Sequence, residues 1–566
     1  MPSPRAYEPL PCYPPAGGGT VGAGWAVPAA AVRPGSVLAM DGPAVLDWPE
    51  LVAAVTAALP APVDPIAVGD SFAAWEQVLK RTAPADALRD DPDFATLPSI
   101  ALADLFDELP AAPRADGRIT LVHGPGAALV PHDVLWYADL PKRFAEAAVT
   151  AGTGRNLAQP AAAGPPTTKR LFYIDWPLLD RHRDELLERI DTYLDLQAGA
   201  DAPTWVDGDV LRSSLRELSA RPFRTRPTFN TTSWGGHWAQ EELGFNPGAR
   251  NTALGYELIA PESGVLLGDA GTFVEVPFQL LVHSAPTDVL GPEVHERFGM
   301  SFPVRFDYLD TVGGGSLSVH CHPSEDCMRD VFGWPYTQHE TYYVMVGDPG
   351  NVIYLGLRAD AAVEEFAERA HAADEHGVPF DIERYVQTFP AQPHQLFLVP
   401  AGTPHGSGVG NVVLEVSATP YLYSLRFYDW LRRDADGNQR PVHVEHAFAN
   451  LNRERRGEAV RRDLVQAPRT AVAGDRWRDE VIGALPEMFF EVRRLVLEPG
   501  AVAPRDTGGR FEVLNVVEGD GVVLRWAGGE HALVYAETMV VPAAVGRYEV
   551  RALGDAPVRI VRAFVP

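Results

Sequence analysis

Through the first 165 or so residues, short apolar runs alternate with stretches whose apolar positions recur at helical spacing. "VLAM", "PIAVGD", "ITLVHGPGAALV" and "VLWYADL" predict strands, whereas "WPELVAAVTAAL" and "FAAWEQVLKRTA" predict helices. Strands alternating with helices imply a parallel α/β unit. "AQPAAAGPPTT" (158–168) reads as a linker, and "LLDRHRDELLERIDTYLDL" as a solvated amphipathic helix. From about Arg221 the pattern shifts to short strands punctuated by Gly and Pro: "GVLLG", "FVEVPFQLLVH", "VRFDYLD", "LSVHCH", "TYYVMVG", "NVIYLGL", "QLFLVPAG" and "NVVLEVS". Such a series predicts an antiparallel sandwich or barrel. One helix interrupts it, starting near Ala359 and stopped by Gly377. A second strand-rich block, from about Val472 to Pro566, repeats the rhythm of the first and predicts a duplicated β domain. The expected organisation is an α/β domain over 1–200, a β domain with a helical insertion over 201–465, and a second β domain over 466–566.

Composition narrows the function. The 566 residues carry 46% hydrophobic side chains, ample for several cores, and a net charge of −27, which argues against nucleic-acid binding and against adsorption to anionic membranes. No run is long and apolar enough to span a bilayer, and "MPSPRAYEPLPCYPPAGGG" lacks a signal-peptide core. Three cysteines, Cys12, Cys321 and Cys327, suit a reducing compartment, so a cytoplasmic location is expected. Lysine stops at Lys169. Chemistry in the β domains therefore has to proceed without a lysine base or phosphate clamp.

The candidate chemistry sits in "SVHCHPSEDC". His320 and His322 are i and i+2 on a strand, so both imidazoles project from one face while Cys321 points away. Two buried imidazoles without partners are costly, and a cation satisfies both. Around them the chain reads G-x5-H-x-H from Gly314, E-x6-G from Glu340 to Gly347, and P-x-G-x2-H ending at His405. These spacings resemble the two motifs of the cupin barrel, which implies one divalent metal on His320, His322, Glu340 and His405. Zn2+ is the expected ion, although three imidazoles and a carboxylate also suit Fe2+, Mn2+, Ni2+ or Co2+.

Within the cupins, residues from about Pro227 to Arg432 resemble type I mannose-6-phosphate isomerases. The resemblance rests on "SWGGHWAQEELG", on "LLVHSAPTDVLGPEVHERFGMSFPVRFDYLDTVGGGSLSVHCHP", on "VPAGTPHGSG" and on "LRFYDW". It implies a catalytic role for Arg426 and, with one residue of altered spacing, for Glu415; Ser318 and Trp234 match substrate-pocket positions. Two family lysines are replaced, by Asp307 and Gln338, which weakens the expectation of a 6-phosphate at that point of the pocket. Arg305 shares the strand face of Asp307, and a surface pair between them is the simplest reading. In the second β block Glu512 and Gly519 keep the E-x6-G rhythm, but Arg547 stands where a histidine would, so that barrel is expected to lack metal. In the α/β region "DVLWYADLPKRF" resembles a late strand and helix of nucleoside-kinase-like domains. Without G-x-x-x-x-G-K-[ST], that resemblance implies a degenerate, non-catalytic unit.

The implied activity is aldose–ketose isomerisation through an enediol, an intramolecular oxidoreduction of mannose 6-phosphate and fructose 6-phosphate or of a related unphosphorylated sugar. The partner is a small sugar or sugar phosphate; neither nucleic acid nor membrane is expected, and the oligomeric state is left open. A non-catalytic, regulatory sugar-binding cupin and an iron-dependent cupin dioxygenase are the alternatives. An ion pair with Asp429 is the structural alternative for Arg426.

Overall fold

The computed structural model describes residues 6–114, 116–434 and 437–566, leaving the first five residues of the N-terminal stretch outside the description. Its α/β layer is a seven-stranded sheet. The parallel part comprises β1 (Val37–Asp41), β2 (Val63–Ala67), β3 (Ile119–His123), β4 (Val134–Asp139) and β5 (Thr192–Asp195). Their order is β5-β4-β1-β3-β2, and two antiparallel strands, Thr204–Asp207 and Val21–Ala23, extend the β5 edge. β1 is buried along its whole length, as a central parallel strand must be when helices cover both faces. Helix α1 (Trp48–Ala58) starts on an Asp47 cap with proline in its first turn, the usual opening of a helix.

Three expectations need correction here. The segment read as one solvated helix is helix α2 (Trp176–Leu186) followed by β5, and α2 buries His182, Arg183 and Asp184. These three pair with one another or with Asp41 rather than with water, while Arg181 and Glu185 stay exposed, a division that periodicity alone does not reveal. Because β5 joins the parallel sheet, "AQPAAAGPPTT" is a loop within the α/β unit. That unit runs past residue 200, through helix α3 (Gly208–Leu218). Lastly, "FVEVPFQLLVH" is a strand only to Pro277; Phe278–Ser284 is helical. Pro277 sets the turn, and the apolar residues that follow are buried on a helix instead of a sheet.

The first β domain is two sheets packed face to face. One contains β6 (Thr228–Asn230), β7 (Leu254–Leu258), β8 (Val304–Asp310), β10 (Glu340–Val346), β13 (Leu396–Val399) and β15 (Val412–Ala418), in the order β13-β10-β15-β8-β7-β6. The other contains β9 (Val319–Cys321), β11 (Val352–Leu357), β12 (Val386–Pro390), β14 (His405–Ser407) and β16 (Leu425–Tyr428), in the order β12-β11-β14-β9-β16. The inserted helix, Val363–His376, ends on Gly377 in the left-handed region, the stop expected of it. The C-terminal block forms a second sandwich of six and four strands, including β17 (Glu512–Glu518) and β18 (Val558–Phe564).

Candidate metal centre

The centre lies between the two sheets of the first sandwich. β9 and β14 pair with His320 directly opposite His405, and β16 places Arg426 on the other side of His320. From the facing sheet, β8 and β15 set Asp307 opposite Glu415, while β10 sets Glu340 opposite Ser417. Period-two alternation then turns Arg305 with Asp307, Ser318 with His320, and Glu340 with Tyr342 toward the same interior.

The donor atoms of His320, His322, Glu340 and His405 lie within 4.8 Å of one another, and all four residues are buried. Each Nδ1 is held by a backbone carbonyl: His320 by Ser318 at 3.0 Å, His322 by Tyr423 at 3.1 Å and His405 by Thr403 at 2.9 Å. That arrangement puts the proton on Nδ1 and leaves Nε2 as a lone-pair donor aimed at the centre, the geometry of metal-binding histidines. His405 Nε2 is 3.1 Å from Glu340 Oε2. His322 Nε2 is 3.0 Å from Glu340 Oε1 but outside hydrogen-bond geometry, so it is a buried, orphaned nitrogen. Burial and the neighbouring imidazoles hold His320 well below the usual histidine range, which keeps it neutral. Glu340 is pushed up by burial, but His322 and His405 outweigh that and hold it well below the usual carboxylate range. Three Nε2 atoms facing one buried carboxylate are a donor set that fits a divalent cation such as Zn2+.

Above these ligands is a cavity of about 160 Å3. The ten residues singled out from the sequence come together here: Trp234, Asp307, Ser318, Gln338, Glu415 and Arg426 line the cavity with His320 and Glu340, and His322 and His405 complete the donor set. Gln338 donates to Glu340 Oε1 at 2.6 Å. The Arg426 guanidinium donates to the Pro441 carbonyl at 3.0 Å, while Asp429 pairs with Arg432 at 2.6 Å and Arg440 at 3.0 Å. Asp429 therefore takes two other arginines as its partners.

The main correction concerns Arg305, which is no surface residue. It is 5% exposed and forms the hub of the cavity floor, with Nη2 on Glu340 at 2.9 Å and also on Glu415, and Nε on Ser417 and 3.6 Å from Asp307. One guanidinium thus serves three buried carboxylates. Glu415 is raised well above the usual carboxylate range by burial and by Asp307 and Glu340, and Asp307 is pushed up to about 7 by burial. Besides Arg305, sequence reasoning missed Tyr256, Tyr342 and Arg440, which also line the cavity. Period-two spacing from Asp307 and Glu340 gives a signal for Arg305 and Tyr342. Arg440 had none, because only the chain reversal after β16 brings it back.

In the second sandwich the counterpart Glu512 faces Arg562 and the Tyr548 hydroxyl, and Arg562 also holds Asp479 at 2.9 Å. The partners of this glutamate are an arginine and a tyrosine, with no imidazole among them. Arg547, in the histidine's sequence position, is a solvent-facing side chain 3.6 Å from Asp506.

Two packed β-sandwiches, one with a buried three-histidine, one-glutamate donor set, have the layout of a cupin with a candidate metal site. The relatives that match it are named mannose-6-phosphate isomerases, and the chain resembles the type I line of that family. The Streptococcus mutans enzyme of that name is 28% identical over 236 residues, 40% of this chain and 67% of that protein. Mannose-6-phosphate isomerase ManA of Bacillus subtilis is 22% identical over 352 residues, 60% of this chain and 98% of that protein. A crystal structure of the mannose 6-phosphate isomerase from Bacillus subtilis covers 61% of this chain and 99% of its own, at 18% identity and a TM-score of 0.48. Residues 24–220 match a family described as a domain of unknown function, DUF8485.

Proposed function

We propose that the protein is a metal-dependent aldose–ketose isomerase acting on a hexose 6-phosphate of the mannose/fructose type. The observation that carries the reading is the convergence of three Nε2 atoms and Glu340 beneath a cavity whose polar lining is unsatisfied. Asp307 Oδ1, Gln338 Oε1 and the Tyr342 hydroxyl are buried without hydrogen-bond partners. Unmet polar groups in a buried pocket cost about 1–3 kcal/mol each, and a polyhydroxylated ligand supplies partners for both acceptors and donors. Zn2+ held by His320, His322, Glu340 and His405 would supply Lewis acidity for substrate oxygens.

The chain's own groups do the rest. Arg426, beside His320, gives fixed positive charge where an enediolate oxygen would develop. Glu415 has its affinity for a proton raised by burial and by its acidic neighbours, and it is the group assigned to move the proton between the two carbons. Arg305 anchors Glu415 and Glu340 at once. Trp234 presents an indole to the sugar's C–H face. The floor holds no cation to spare for a phosphate, since Arg305 is spent on carboxylates. At the mouth, Arg426 and Arg440 line the cavity, Asp429 is paired with Arg440 and Arg432 and not with Arg426, and the cations there suit a phosphate.

The test is turnover of the Zn2+-loaded protein on mannose 6-phosphate and fructose 6-phosphate beside free mannose and fructose. The expected result is conversion of the phosphorylated pair without an oxygen requirement, with Arg440→Ala raising KM for them alone. Conversion of free sugars only would move the substrate to the unphosphorylated class, a reading that the Asp307 and Gln338 replacements favour. Binding without turnover would leave a sugar-binding cupin. We infer that the α/β unit supports the barrel and performs no phosphoryl transfer, since the loop after β1 lacks the glycine–lysine pattern of a phosphate cradle.

A further inference from the structure

We propose that the cavity between the α/β unit and the first barrel binds a small neutral molecule built on one or two aromatic rings, and that its occupancy is felt at the metal centre. The cavity has a volume of about 280 Å3 and is distinct from the one above the metal ligands. Phe172 and Trp176 wall it from the α/β side; Met300, Trp334, Tyr421 and Tyr423 wall it from the barrel.

The chemistry of the occupant follows from what the walls already satisfy. Lys142 pairs with Asp180 at 2.5 Å and lies 4.7 Å over the Trp176 ring, so the one cation present is neutralised. The Thr419 hydroxyl donates to the Phe302 carbonyl, and the Gln279 amide to the Met300 carbonyl at 2.6 Å. Neither net charge nor an orphaned polar group calls for an ionic ligand. Aromatic faces on opposing walls favour a flat ring, and mostly apolar concavities with few polar groups are the usual character of small-molecule sites. A dry cavity of about 150 Å3 accepts benzene, so this one has room for two fused rings.

The link to the metal centre runs through three consecutive residues. Tyr421 lines both cavities and donates to Glu262. The Leu422 carbonyl accepts from Tyr173 of the α/β unit at 3.0 Å. The Tyr423 carbonyl accepts from His322 Nδ1 at 3.1 Å. A ring pressed against Tyr421 and Tyr423 displaces the carbonyl that orients His322. Partners of metal-bound imidazoles tune affinity by about 10–100-fold, and any such coupling acts equally in both directions. This second part rests on the reading of His322 as a metal ligand; the first does not.

Full-length protein titrated with 2-naphthol, followed by tryptophan fluorescence, should show saturable one-to-one binding with a midpoint on the order of 0.1 mM. Met300→Trp and Leu97→Trp fill the cavity from opposite walls, and each should weaken binding at least tenfold at an unchanged melting temperature. A non-saturable signal, or equal binding by both folded variants, overturns the site. Saturating 2-naphthol should also shift the Zn2+ midpoint at least threefold. An unchanged midpoint overturns the coupling, and failure of Zn2+ to bind overturns both the coupling and the metal assignment, neither of which the naphthol titration itself depends on.

Discussion

At the scale of single residues, the centre depends on donors whose second nitrogen is already committed. Because three backbone carbonyls hold the three Nδ1 atoms, each imidazole is pre-oriented, and removing one loses a quarter of the donor set together with that orientation. His322→Ala is expected to lower Zn2+ affinity at least 100-fold, read by metal content after dialysis against a competing chelator. Arg426→Ala should retain full metal content yet lose about 100-fold or more in kcat, the scale of a lost oxyanion contact. Unchanged turnover in that variant would remove Arg426 from the chemistry. Arg305 is a different case, since truncating it leaves Asp307, Glu340 and Glu415 as neighbouring buried acids. Arg305→Met should cost about 3–5 kcal/mol in chemical denaturation, the range for stripping one partner from a buried ion pair. The cost should shrink when Asp307→Asn and Glu415→Gln are added, because neutral amides no longer need the cation.

At the scale of elements, the mouth of the pocket is set by a close approach of two loops. Gly314 passes so near the Trp-Gly-Gly segment that a Cβ there would sit 2.3 Å from the Trp234 carbonyl oxygen and 2.5 Å from that of Gly235. Both contacts are to backbone, so nothing short of moving the loop relieves them. Gly314→Ala is expected to destabilise the protein by roughly 2 kcal/mol through such overpacking and to displace Trp234, raising KM more than it lowers kcat. The spacing that pointed to Gly314 as part of a motif thus has a steric cause. A strand-to-helix switch such as that at Pro277 was less legible. The apolar residues of "FVEVPFQLLVH" satisfy strand and helix patterns equally over so short a run, and packing makes the choice.

At the scale of the whole molecule, the α/β unit reaches the metal-binding barrel through a polar contact as well as the apolar cavity. Asp91 lies 2.5 Å from His446, and Leu97 N donates to the Phe332 carbonyl at 2.9 Å. Burial raises the Asp91 carboxyl, but hydrogen bonds from His446 and from the Phe94 and Asp93 amides outweigh it and bring it to about 2. A carboxyl depressed on folding adds stability that is fully present above its unfolded value near 3.9. That stability is lost as pH falls from there toward 2. Asp91→Asn should therefore lower the melting temperature at pH 7 by a few degrees and have little effect at pH 2, measured by scanning calorimetry. A loss of equal size at both values would show that the contact acts through shape, not charge. Among the described residues no helix is long and apolar enough to cross a membrane.

The sequence by itself determined the local and periodic features. Alternation placed His320 with His322 on a shared face, and turn residues bounded the strands and the inserted helix. The family motifs named the four residues whose donor atoms converge, because a candidate metal site needs fixed residue types at fixed spacing. Tertiary structure decided whatever depended on which strands became neighbours. It turned an assumed Arg305–Asp307 surface pair into a buried hub, since β8 lies between β7 and β15 in the interior. It committed Asp429 to Arg432 and Arg440 rather than Arg426. It folded "DTYLDL" into a parallel sheet instead of a helix, and it brought residues as distant as Phe172 and Tyr423 to one aromatic cavity. Spacing along the chain constrains side chains within one element; only packing between elements selects their partners.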